Sequence, residues 1–259
     1  MLRKFLQPTN NFTGLLQLLL PLFIYLGIDS GAGWGWWLTS VFFWSFVYTI
    51  IGNNVILHRY CCHAHFSLPK WKEYPLLWVG LMVGVGGPLS YAMTHLVHHN
   101  PKYTDTPLDP HGPVRGIRSW LISYQKTVDP DETPIFSRRV LELKTRFWWM
   151  HEYYTPIVLG TALALYLIDP KVFLFCWAIP ASVSCWGIGW AVWRQHWDFK
   201  PQNARTHIIE PVYEGLHLNH HLHPAAPDTA VNPGEIDWTY QASRLLRPTY
   251  NWRGQPNRV

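Results

Sequence analysis

The hydrophobic pattern divides the chain into five apolar runs, at 12–28, 35–57, 74–93, 153–168 and 172–193, separated by polar stretches of unequal length. A helix needs about 20 apolar residues to cross a bilayer, within a range of about 17 to 25. The runs 35–57 and 172–193 meet that length, whereas 12–28 and 153–168 are short spans that rely on Trp and Tyr anchors at their ends. The run 74–93 contains Gly84, Gly86, Gly87 and Pro88, which break a regular helix. It is therefore expected to be interfacial or re-entrant. The pattern predicts an all-α integral membrane protein: one domain over 1–259, four transmembrane helices, and a cytosolic helical cap made from 58–152 and 194–259. The MLRK start before an apolar run also resembles a signal peptide, but no Ala-x-Ala site follows it.

Charge orients these spans. If the first pair and the last pair each form a hairpin, the loops 29–34 and 169–171 share one side and hold a single basic residue, Lys171. The other twenty of the 21 Lys and Arg residues fall on the opposite side. Basic loops stay cytosolic, so both termini and every histidine-rich segment are expected to face the cytosol. Composition agrees with a lipid environment: 16% of residues are aromatic and only 14% are charged, against roughly 25% charged in soluble chains. A mean hydropathy of -0.04 leaves room for a large polar portion. The net charge of +5 comes from dispersed residues without a nucleic-acid motif, which points to a membrane surface or an acidic redox partner and away from nucleic acid. Cys61, Cys62, Cys176 and Cys185 form no CxxC pair, which argues against a disulfide framework or thiolate zinc site and fits a reducing compartment.

Histidine carries the candidate chemistry. HRYCCHAHF places His58, His63 and His65 just beyond the second span. His58 and His63 are five positions apart, about 140° around a helix, so they share a site only if the helix end is irregular. THLVHHN sets His95, His98 and His99 at i, i+3 and i+4 on one helical face, and EGLHLNHHLHP repeats that spacing with His217, His220 and His221. A face of three imidazoles that repel one another when charged is a poor solvated surface. Neutral imidazole binds Zn, Cu, Fe and Ni. With His65 set aside, eight histidines exceed the needs of one tetrahedral ion, and suggest two metals. His196, in WRQHWDF beyond the fifth run, is a ninth candidate or a polar interface residue.

This pattern resembles the membrane fatty-acid desaturase family, whose members carry three histidine boxes on the cytosolic side of four spans. HRYCCH is similar to the first box, HLVHH to the second and HLNHH to the third. HRYCCHAHF, HHNPKYTDTPLDPHGP and EGLHLNHHLHP further resemble the acyl-CoA or acyl-lipid delta-9 branch. The resemblance implies two irons held by His58, His63, His95, His98, His99, His196, His217, His220 and His221, with O2 as co-substrate. It places Asp109 and His111 near the site, in substrate contact or behind the ligands, along with Asn219. Glu214 either orients a ligand histidine or is a solvated helix start. His65 and His223 are additional to the usual ligands. Acyl-CoA desaturases carry an Asn, holding a metal-bound water, at the position occupied here by Val192; Gln195 is a speculative substitute.

The implied reaction inserts a cis double bond, at delta-9, into a saturated acyl chain borne on CoA or a lipid. No GxGxxG, flavin or CxxCH motif is present, so electrons must come from a small donor such as a ferredoxin or a b-type cytochrome. Hydroxylation of a lipid or alkane by the same type of centre is the competing reading. A metal transporter is expected to carry ligands deep in its spans, and here those positions offer little beyond Asn53 and Asn54. A haem-b carrier has no use for histidine triplets.

Overall fold

The second apolar run folds into one continuous helix that does not stop where the apolar residues stop. In the computed structural model, which describes residues 12–100, 102–103, 138–196, 201–204 and 210–251, helix α1 covers Thr13–Asp29 and helix α2 covers Trp34–Cys62. Helix α2 thus carries the first histidine segment on its last turns, because neighbouring helices bury 14 of its final 16 residues. The broken run becomes α3 (Lys70–Met82) and α4 (Pro88–His98). Then follow α5 (Arg138–Glu152), α6 (Tyr154–Ile168), α7 (Pro170–Gln195), a short 3-10 turn Glu210–Tyr213, α8 (His217–Leu222) and α9 (Trp238–Leu245). Helices α2 and α7 are long and apolar enough to cross a membrane; α1 and α6 are shorter apolar helices.

The glycine-rich break between α3 and α4 is where several helices are tied together. Gly84 and Gly86 adopt φ of +93° and +116°, a region L side chains rarely enter. Backbone groups freed by the break find partners elsewhere. Trp177 Nε1 of α7 donates to Met82 O at 2.9 Å, Cys185 Sγ to Val83 O at 3.3 Å, and the Phe12 amide to Gly84 O at 2.7 Å. The Gly86 amide donates to the Tyr154 hydroxyl at 3.1 Å. Helix α1 is in turn bound to α7, with Gln17 Nε2 donating to Cys185 O and Trp186 Nε1 donating to Gln17 O, both at 3.0 Å. Buried polar groups in an apolar setting are costly unless paired, so these contacts hold α4 in one position.

The polar end is closed by side chains and a minimal sheet. Arg139 of α5 donates from Nε to Cys61 O at 2.8 Å and from its terminal nitrogen to Tyr60 O, satisfying carbonyls at the end of α2. Strands β1 (Phe66–Ser67) and β2 (Thr249–Tyr250) pair antiparallel, Phe66 opposite Tyr250. Asp237 caps α9 by accepting from the Tyr240 amide at 2.9 Å.

A Gly84→Ala chain is expected to lose about 2 kcal/mol, since its φ is unfavourable and the added Cβ would meet Leu16 at 2.6 Å. Thermal denaturation of the detergent-solubilised protein should show a lower Tm, while Gly33→Ala, which meets nothing within 4 Å, should leave it unchanged. Equal Tm values for the two would remove the strained break from the account of the fold.

Candidate metal centre

The helix ends determine where the histidines go. Helix α2 finishes in wide turns with i→i+5 bonds: the His63 amide donates to His58 O at 3.3 Å. Each wider turn takes an extra residue, which swings His63 back towards His58. Their ring centroids are 5.0 Å apart, although a regular helix would have separated them. Helix α4 and helix α8 each present histidines at i, i+3 and i+4 spacing, and each straddles two foci.

Nine imidazoles therefore separate into two groups whose candidate ligand atoms lie within 4.8 Å of one another. One contains His58, His63, His95, His99 and His220; the other contains His98, His196, His217 and His221. Nε2 of His58 is 3.0 Å from that of His220, and His63 is 2.8 Å from His95. In the second group, His98 approaches His196 at 2.9 Å and His221 at 3.1 Å, while His217 lies 3.1 Å from His196 and 3.0 Å from His221. Two nitrogens each about 2.1 Å from one ion and at right angles are about 3.0 Å apart. The donor set thus fits two cations, and a chain of shared protons could not link all four ε nitrogens of the second group in the same way.

Electrostatics favours the form that binds metal. Burial, reinforced by neighbouring imidazoles, holds the pKa values of His63, His95, His217 and His220 well below the ordinary histidine range. Burial lowers His196 to about 4 and His221 to about 3. Neutral imidazoles are the ligating form.

Behind the rings lies a buried ionic network. His58 Nδ1 contacts Glu214 Oε2, and Arg59 donates from Nε to Glu214 Oε1 at 2.7 Å and from a terminal nitrogen to Asp237 Oδ2 at 3.1 Å. Burial alone would raise the Glu214 pKa, but the charge of Arg59 and hydrogen bonds from Arg59 and His58 hold it down to about 2. Glu214, at φ +58°, therefore stays ionised and keeps a proton on Nδ1 of His58, leaving Nε2 available. His196 Nδ1 similarly faces Val192 O at 3.0 Å. Arg59 and Asp237 were not legible as site residues; adjacency of Arg59 to His58 was the only available signal.

The remaining expectations resolve individually. Asp109 and His111 lie outside the described residues. Asn219 supports the surrounding loops: its Nδ2 donates to Thr229 O at 2.9 Å and Glu235 Oε2 at 2.8 Å, and its Oδ1 accepts from Asn203 at 2.8 Å. Gln195, the substitute considered for the Asn absent at Val192, lines the cavity beside the histidines, with its Nε2 donating to the carbonyls of Tyr213 and Glu214. His65 bonds Pro224 O at 2.8 Å and belongs to neither group; His223 is exposed and also lies outside them. A cavity of about 70 Å³ touches both groups, through His58 and His95 on one side and His196 and His217 on the other.

No family model matches the chain. It is 28% identical to Acyl-CoA 5-desaturase AL21 of Anemone leveillei over 76% of this chain and 64% of that protein. It is also 27% identical to the sn-1 stearoyl-lipid 9-desaturase of Anabaena variabilis, covering 86% of this chain and 88% of the relative. The sn-2 palmitoyl-lipid 9-desaturase of Nostoc sp. (strain 36) is 25% identical over 82% of this chain and 87% of its own length. The chain spans 64% and 66% of the length of the two Anemone relatives. With these relatives and three histidine segments converging on one centre, the chain is similar to fatty-acid desaturases of the acyl-CoA and acyl-lipid types.

Proposed function

We propose that the chain is an O2-dependent fatty acyl desaturase that inserts a cis double bond at delta-9, with two irons held by nine histidines. The observation that carries this reading is the convergence of nine buried and half-buried imidazoles into groups of five and four beside one cavity. His58, His63, His95, His99 and His220 would hold one iron, and His98, His196, His217 and His221 the other. Oxidation of an unactivated methylene pair with O2 is the chemistry that bound irons supply here. The chain itself sets the geometry: Glu214 and the Val192 carbonyl orient His58 and His196 through their δ nitrogens. Ile188, Ala191 and Val192 give the cavity an apolar wall against which methylenes can lie. The cyanobacterial relatives support the delta-9 position and a lipid-linked chain, while the Anemone relatives support a CoA thioester. Electrons come from a small external donor, a ferredoxin or a b-type cytochrome.

The same reading makes the chain a single multi-pass membrane domain, with its centre and both termini on the cytosolic side. The carboxy-terminal ends of α2 and α7 meet at one centre, through His58 and His196. If both helices cross the bilayer, they do so in the same direction, and the chain between them returns once. Helix α6, joined to α7 by a tight turn, supplies that return, so α3 and α4 make no net crossing; α1 completes four spans. Exposed apolar side chains on α1 and α6, among them Leu18, Ile28, Leu163 and Leu167, suit lipid contact. Trp71, Tyr74 and Trp78 form an exposed face on α3 that suits an interfacial helix.

Fatty-acid methyl ester analysis of cells expressing the chain should reveal a new monounsaturated acid with its double bond at carbon 9; hydroxy-acids in its place would reassign the chain as a hydroxylase. Replacing His98 by Ala should abolish turnover and remove about half of the bound iron from a chain that still inserts. Full iron content with retained activity would exclude His98 as a ligand. Glu214→Gln is expected to weaken iron binding by about 10- to 100-fold, measured by chelator competition, and unchanged affinity would show that His58 needs no carboxylate partner.

A further inference from the structure

Tyr213 starts beside the centre and ends well away from it. Its backbone is fixed at the level of the histidines, because Asn54 Nδ2 donates to Val212 O at 2.8 Å and Gln195 Nε2 donates to Tyr213 O. The side chain then runs down the groove between α2 and α7. Its tip lies against Gly187, where an added Cβ would overlap the hydroxyl and ring carbons. The hydroxyl is hydrogen-bonded to Thr49. Thr49 donates to Ser184 Oγ at 2.9 Å, and Ser184 reaches Ser45 O at 3.4 Å. Thr49 and Gly187 each precede a histidine of a different group, His58 and His196, by nine residues, which along α7 is roughly 13 Å.

That position closes the cavity. Tyr213 lines it, and the walls nearest the tip are Asn53 on α2 and Ile188 on α7. Thr49 lies one turn beyond Asn53, and Gly187 is the next residue beyond Ile188, so the ring occupies the groove between the helices at this end of the cavity, just before Thr49 and Ser184 bring them into contact. A chain that reaches the histidines with its methyl end leading, along the apolar wall of Ile188, Ala191 and Val192, meets this ring.

We infer that Tyr213 is the stop that sets how far the methyl end of an acyl chain passes the two histidine groups, and that the missing side chain at Gly187 is what lets the ring lie there. The inference rests on the acyl-desaturation reading. Tyr213 acts on substrate selection: it limits the number of carbons on the methyl side of the new double bond. The two positions predict opposite effects. Removing the ring lengthens the space, whereas adding a methyl group at position 187 pushes the ring towards the histidines and shortens it.

The test is to supply cells expressing the full chain with an equal mixture of saturated acids of 14, 16, 18 and 20 carbons, then locate double bonds in the products by mass spectrometry. Tyr213→Ala should raise the ratio of the longest to the shortest unsaturated product at least about tenfold, the scale set by one or more methylenes in an apolar pocket. The added carbons should lie on the methyl side. Gly187→Ala should move the ratio towards short chains, and the double variant should return to the Tyr213→Ala pattern, since the methyl group added at position 187 then meets no ring. Tyr213→Leu serves if the Tyr213→Ala chain fails to accumulate. Product distributions that match wild type in the single variants would overturn the inference while leaving desaturation intact. A wild-type chain that leaves every acid saturated would overturn the desaturation reading, and this inference with it.

Discussion

Two groups of imidazoles can be buried with their ligand nitrogens within 4.8 Å of one another, several pairs near 3 Å, only as neutral rings, and even then lone pairs face each other. That constraint organises the molecule. Protonating one ring places a charge in a desolvated site among others that oppose it, which is why burial and neighbouring rings lower these pKa values together. The arrangement is unfavourable in isolation and would become favourable with cations at the foci, which would couple metal binding to folding. Structural elements around the centre serve mainly to hold rings that would otherwise separate.

The strongest of these supports is the buried network of Arg59, Glu214 and Asp237. Glu214 links His58 on α2 to the segment preceding α8, and Arg59 extends the link to Asp237 at the start of α9. Asp237 Oδ2 also accepts from the Thr229 amide at 2.9 Å and hydroxyl at 2.7 Å. Removing one member of a buried ionic set leaves an uncompensated charge, at a cost of about 3–5 kcal/mol. The network therefore couples the position of a candidate ligand to the closure of the polar end. On the opposite side of the centre, the glycine break holds α4 through bonds from α1, α6 and α7, so His95, His98 and His99 inherit their positions from the apolar helices.

The apolar runs, the break at Gly84 to Pro88 and the histidine spacing were all legible along the chain, because each depends on local periodicity or on a residue type with a fixed backbone effect. The runs coincide with α1, α2, α6 and α7, and the expected interruption separates α3 from α4. Helix α2 was harder to delimit, since its polar last turns are helical only by virtue of what packs around them. The i→i+5 bonds that bring His63 to His58 leave no periodic signature.

Residue identity and spacing were sufficient to name the histidines and to pair i with i+4 on a helical face. They could not partition those residues into five and four, because each of α4 and α8 supplies both groups and the division depends on how the two helices cross. Nor could they distinguish Glu214 as a partner of His58 from Glu214 as a solvated helix start; the answer lies in Arg59 and Asp237, 155 and 23 residues away from it. The same applies to Tyr213 and Gly187, an unremarked tyrosine and an ordinary helical glycine whose meaning comes from lying across one groove. Local chemistry follows from covalent order, but contacts between segments more than a hundred residues apart follow from packing, which no short window of the chain contains.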